Sequence, residues 1–79
     1  MEAFPADGFF VPLIRMTSGP LPSAAIKVGD REYRYARSYP IKGYSAVMPG
    51  YLKEQAAAGK KPLLVERPDR LYVYFAAES

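Results

Sequence analysis

Residues 24–37 read Ala-Ala-Ile-Lys-Val-Gly-Asp-Arg-Glu-Tyr-Arg-Tyr-Ala-Arg, and they constrain the fold more than any other stretch of this chain. If Gly29 and Asp30 form a two-residue turn, glycine supplies the positive φ needed at the first central position and the pairing is fixed outward from there. Val28 then opposes Arg31, Lys27 opposes Glu32, Ile26 opposes Tyr33, Ala25 opposes Arg34 and Ala24 opposes Tyr35. Directly opposed residues share a face, so Ala24, Ile26, Tyr33 and Tyr35 collect on one side and Lys27, Glu32 and Arg34 on the other. A slip of one residue would mix these sets and separate the Lys27 and Glu32 charges.

The rest of the chain bounds what this hairpin can join. At 79 residues there is room for one domain, of a size at which about 60% of the unfolded surface is buried and stability is thin. A partner or self-association would add to it. Without cysteine, neither a disulfide framework nor a thiolate metal site can staple the fold. The start, Met1-Glu2-Ala3-Phe4-Pro5, has no basic region, and the run 9–14 is six residues long and interrupted by Pro12. Neither a signal peptide nor a membrane span fits, and cytoplasm is the default location.

Residues 1–8 read as an N-terminal arm, broken by Pro5, Asp7 and Gly8 and anchored by Phe4. The single α+β domain is expected over 9–79. Within it, 9–16 form a strand candidate. Pro12 lacks an amide proton, which points to an edge strand or a bulge. Residues 17–23, with Gly19, Pro20 and Pro22, are a stiff connection into the hairpin. Its second strand should stop near Ser38, ahead of Tyr39-Pro40. A helix follows, with Ser45 as N-cap or Pro49 at its first position, and Gly59 as the stop. Met48, Leu52 and Ala56 form its apolar stripe, with Val47 and Tyr51 beside them. The tail returns to strands at 63–67 and 71–75. A three-residue loop, Pro68-Asp69-Arg70, opposes Val65 to Val73 and Leu63 to Phe75 and keeps Leu63, Val65, Leu71, Val73 and Phe75 on one face.

Catalytic chemistry finds little support in this pattern. Histidine and cysteine are absent, which removes the commonest general base, the thiol nucleophile and the usual zinc ligands. Gly43-Tyr44-Ser45-Ala46-Val47 has the position of a nucleophile elbow, but Val47 replaces the second glycine and no histidine completes a triad. Gly59-Lys60-Lys61 resembles the end of a phosphate loop, but Glu54 stands where its first glycine belongs. The carboxylates Glu2, Asp7, Asp30, Glu32, Glu54, Glu66, Asp69 and Glu78 form neither a spaced catalytic pair nor a calcium loop. No cofactor and no metal are expected.

Tyrosine is what remains, seven residues in all. Tyr33 and Tyr35 share the apolar hairpin face and belong to the core. Tyr72 and Tyr74 alternate away from Leu71, Val73 and Phe75. If both hairpins lie in one sheet with the helix on its apolar side, the open side displays Tyr72 and Tyr74 together with Lys27 and Arg34. Tyrosine and arginine are enriched at interface hot spots, and rings among cations also suit a single-stranded nucleic acid.

The expectation is a small α+β fold, an antiparallel sheet of four or five strands in the order β-β-β-α-β-β with one helix on its apolar face. Its function is expected to be that of a non-enzymatic accessory or interaction module. It is expected to bind a protein partner, or else a second copy of itself, through the open sheet face and the Pro12 edge strand. The net charge of +3 and pI near 9.3 permit the alternative, a single-stranded nucleic-acid-binding module using the same surface. An enzyme using lysine, tyrosine or carboxylate chemistry ranks third.

Overall fold

The computed structural model describes residues 2–6, 8–16 and 24–77, and for 44–46 the backbone alone. Seven elements follow one another: β1 (Glu2–Ala6), β2 (Phe9–Arg15), β3 (Ala25–Val28), β4 (Arg31–Pro40), α1 (Tyr44–Ala57), β5 (Pro62–Glu66) and β6 (Arg70–Ala76). The class is α+β, but the sheet has six strands, ordered β1-β2-β5-β6-β4-β3, and it is mixed because β2 and β5 run parallel. The additional strand is the stretch expected as an N-terminal arm. Glu2–Ala6 pair antiparallel with β2, from Glu2 opposite Leu13 to Ala6 opposite Phe9.

That pairing also corrects the edge position expected for Pro12. β2 lies between β1 and β5, yet its register with β5 begins only at Leu13. Pro5 and Pro12 belong to the same alternating class of β1–β2 pairs, Pro5 opposite Phe10 and Ala3 opposite Pro12. In the non-hydrogen-bonded class, the missing amides point away from the pair: outward at the free edge for Pro5, and for Pro12 to where β5 does not yet pair.

The β3–β4 hairpin has the register read from the sequence, Ala25 opposite Arg34 through Val28 opposite Arg31, around Gly29 at φ 64°. Beyond it, β4 runs to Pro40 instead of ending near Ser38. The extended conformation favoured before proline suits a strand, and Pro40 lies past the reach of β3, where its outer side needs no donor. The C-terminal hairpin is shifted by one residue from expectation. Val65 opposes Tyr72, Leu64 opposes Val73 and Leu63 opposes Tyr74, and the Arg67 amide donates to the Arg70 carbonyl at 2.9 Å across Pro68 and Asp69. The expected register assumed a strand with one apolar face. β5 is central and buried on both, which is why its sequence is a continuous Leu-Leu-Val run.

Two hydrophobic groups result. On the helix side, Met48 and Leu52 of α1 pack on Val11, Leu13, Leu64, Leu71 and Val73, with Phe4, Phe9, Tyr39, Tyr51 and Phe75 around them. On the opposite side, Leu63, Val65 and Tyr74 are buried among Ile14, Met16, Ile26, Val28, Tyr33 and Tyr72.

The helix starts one residue before the expected Ser45 cap. Gly43 at φ 92° is its N-cap, without a side-chain hydrogen bond, so Ser45 is the second helical residue and Pro49 lies inside the helix. A proline there deprives the Ser45 carbonyl of its i+4 donor and weakens the first turns. The other end is well closed. Gly59 (φ 89°) donates to the Ala56 carbonyl and Lys60 to that of Gln55, the paired bonds of a Schellman motif. The expected stripe is narrower in fact: Met48 and Leu52 are buried, Ala56 and Tyr51 half-buried and Val47 exposed.

These observations set the order of two substitutions in urea unfolding. Leu64→Ala, which empties a wholly buried site in the central strand, is expected to cost about 2–5 kcal/mol. Gly59→Ala is expected to cost less, about 1–2 kcal/mol, because a Cβ there meets nothing within 4 Å and only the left-handed backbone resists it.

Candidate interaction surfaces

The pairing of β4 with β6 decides which side chains meet. Tyr33 opposes Ala76, Arg34 opposes Phe75 and Tyr35 opposes Tyr74. The register then shifts, and Arg37 opposes Val73, Ser38 opposes Tyr72 and Tyr39 opposes Leu71. Ala36 is the extra residue of a β-bulge. Residues 34 and 37 of a regular strand would face opposite ways, but the bulge reverses the alternation and puts Arg34 and Arg37 on one side.

That side is the helix side, and the expected constellation is divided between the two faces. Tyr72 and Tyr74 do point away from Leu71, Val73 and Phe75, as alternation requires. Their companions, however, are Tyr33 and Tyr35, which were expected in the core under the helix. Lys27 and Arg34 lie on the helix side, since Arg34 opposes Phe75 and Ala25, and Lys27 opposes Glu32. Sequence alternation fixes the faces within each hairpin. Which face of one hairpin continues which face of the other is set by the non-local β4–β6 register and its bulge.

The face opposite the helix is a tyrosine cluster bounded by aliphatic side chains. Tyr35 stands 5.9 Å from Tyr74, edge-on at 72°, and 6.1 Å from Tyr72, tilted at 56°, separations at which aromatic pairs attract. Tyr74 itself is fully buried, Tyr72 half-buried and Tyr35 44% exposed. At the other end of the same face Phe10 is 72% exposed, next to exposed Ala3, Pro5 and Pro12. The charges of the strands are sorted as well. Glu2, Glu32 and Glu66 all stand on the helix side, opposite Leu13, Lys27 and Leu71. Arg31, opposite Val28, and Arg70, whose Nε donates to Ser38 Oγ at 3.0 Å, rim the tyrosine face.

The helix side carries a second, smaller aromatic group. Tyr51 of α1 meets Tyr39 at 6.3 Å and Phe75 at 6.1 Å, both edge-on. The Arg37 guanidinium lies 4.6 Å from the Tyr51 ring centre and 5.8 Å from that of Tyr39, and it donates a 3.2 Å hydrogen bond to the Tyr39 hydroxyl. Lys60 Nζ lies 5.5 Å from the Phe75 ring centre. Burial pushes the Tyr51 phenol above its ordinary value, with Arg37 opposing. At the far corner Arg15 bridges Glu66 at 2.6 Å and Glu2 at 3.2 Å.

Among the described residues no group of three or more acidic or other metal-ligating side chains converges, and no helix is long and apolar enough to cross a membrane. The connection 17–23 lies outside the described residues. Comparison with known proteins finds no matching family model, no matching curated protein and no matching solved structure.

Burial also raises the Tyr74 phenol, followed in effect by the neighbouring Tyr72 and Tyr35. A phenol whose folded value exceeds the unfolded one keeps its proton longer in the folded state. Its contribution to stability is therefore intact below about pH 10 and is lost as pH rises from there through the folded value. In a spectrophotometric titration, Tyr51 and Tyr74 are expected to ionise above the ordinary phenol value, together with alkaline unfolding. Tyr74→Phe should remove one of these late phenols and shift the unfolding midpoint to higher pH.

Proposed function

We propose that the protein is a non-enzymatic interaction module that binds another polypeptide through the sheet face opposite α1 and the outer edge of β3. The observation that carries this reading is the exposure of Phe10 and Tyr35 on a face whose centre is apolar and which no helix among the described elements covers. A sheet that is apolar on both sides gains stability from a layer on each. Aromatic side chains rimmed by arginine are the residue types enriched where proteins bind one another.

The sorting of charge narrows the partner. With Arg31 and Arg70 at the rim and the strand carboxylates on the other side, the complementary surface has an apolar centre and acidic margins. Two copies stacked through this face would set arginine against arginine, so a different polypeptide fits it better than a second copy. Among the described elements β3 is the last strand of the sheet on that side, and its outer edge at Lys27 adds backbone groups for an extended segment. Lys27 and Arg34 do not share a face with Tyr72 and Tyr74, so a nucleic acid would have to use a different set of residues.

The test combines mass and capture. The wild-type chain is expected to retain one acidic protein from native lysate, and Phe10→Ser or Tyr35→Ser, at exposed positions that leave the fold intact by circular dichroism, should abolish retention. Val47→Ser, an exposed apolar residue on α1, should not. Retention unaffected by the first two variants, or no retention by a chain that sediments as a monomer, overturns the reading.

A further inference from the structure

The bulge at Ala36 creates a feature that the protein-binding face does not use. It brings Arg37 onto the helix side in line with Arg34, and both are exposed without an ion-pair partner among the described residues, as is Lys60 at the end of α1. Lys27 stands on the same side, two pairs beyond Arg34 along the hairpin, with Glu32 opposite it. Between the cations lie the half-buried rings of Tyr39, Tyr51 and Phe75. Beside them a shallow depression of about 300 Å³ is lined by Arg34, Tyr35, Ala36, Lys60 and residues 75–77; Arg37 and Tyr51 lie outside it, and Tyr35 marks its border with the tyrosine face.

The chemistry of this group is specific. An arginine whose guanidinium lies over a ring and donates to a phenol loses rotamer freedom before any ligand arrives. Of its five N–H donors, one is engaged with Tyr39 and the rest remain available for a phosphate. The outer side of the guanidinium plane is also a surface on which a base can stack. Lys60 and Arg34 extend the positive charge along β6, in the direction of the Tyr51 and Phe75 rings. A guanidinium on which a base can stack, flanked by two further cations, matches a phosphate backbone carrying bases more closely than a carboxylate-bearing peptide, which would use the charges alone.

We propose that the helix-side cluster of Arg34, Arg37 and Lys60 around Tyr51 and Phe75 is a binding site for a short single-stranded nucleic acid. It is separate from the tyrosine face. Arg37 contributes phosphate contact and a stacking plane, Arg34 and Lys60 contribute phosphate contacts, and Tyr51 holds Arg37 in place. The bulge at Ala36 is the backbone device that assembles them, as bulges do where a side chain has to be re-aimed.

The experiment is fluorescence anisotropy of a labelled oligothymidine at several salt concentrations. Binding is expected to weaken with salt, and Arg37→Gln to weaken it about tenfold, the loss of a base-stacking contact. Arg34→Gln and Lys60→Gln should each lower the salt slope by about one. Arg31→Gln makes the same change in net charge on the opposite face and should leave the affinity within about twofold, since it loses no contact. Tyr51→Leu removes the ring that holds Arg37 and should weaken binding as well. Circular dichroism on each variant guards against unfolding. The proposal is overturned by an absence of binding at low salt, by Arg31→Gln weakening binding as much as Arg37→Gln, or by polyglutamate displacing the oligonucleotide at equal charge concentration. None of these outcomes bears on the Phe10 variant, so the two readings fail separately.

Discussion

The run Leu63-Leu64-Val65 at the centre of the sheet is the constraint on which the rest depends. All three side chains are buried, and because a strand alternates, Leu64 goes to one side and Leu63 and Val65 to the other. A strand buried on both faces requires neighbours on both edges and apolar cover on both sides. β2 and β6 supply the edges. On one side α1 supplies the cover through Met48 and Leu52. On the other, Tyr74, Ile14, Ile26 and Tyr33 are drawn together. The tyrosine face is thus a second core surface whose margins remain in solvent at Phe10 and Tyr35.

Local chemistry was legible in the sequence wherever a glycine or a short spacing determined it. Gly29 set the β3–β4 register, Gly59 ended the helix, and alternation separated Tyr72 and Tyr74 from Leu71, Val73 and Phe75. What was not legible was non-local. Phe4 and Pro5 look like an arm until β2 offers them an edge. The C-terminal register was read for a one-faced strand, whereas a central strand hides its alternation in a continuous apolar run. The division of the candidate residues had one signal available, the odd spacing of Arg34 and Arg37 across Ala36, but only pairing with β6 reveals the bulge.

The bulge therefore has a structural consequence out of proportion to its size. Continued regular alternation past Ala36 would put Arg37 among Tyr35 and Tyr72 and leave Tyr51 without its cation. With the bulge, the two aromatic groups become chemically distinct. One is a cluster of phenols rimmed by Arg31 and Arg70, suited to an apolar partner. The other is a set of rings overlaid by Arg37 and Lys60, suited to an anionic one. Both depend on the same two strands.

That division is tested most directly by side-chain nuclear Overhauser contacts at position 37. The account predicts contacts from the Arg37 methylenes to the Tyr51 and Tyr39 rings, upfield ring-current shifts of those methylenes, and separate contacts from Tyr35 to Tyr72 and Tyr74. Arg37 contacts to Tyr35 and Tyr72, with none to Tyr51, would contradict it, because β4 would then lack the bulge and the two faces would not be distinct.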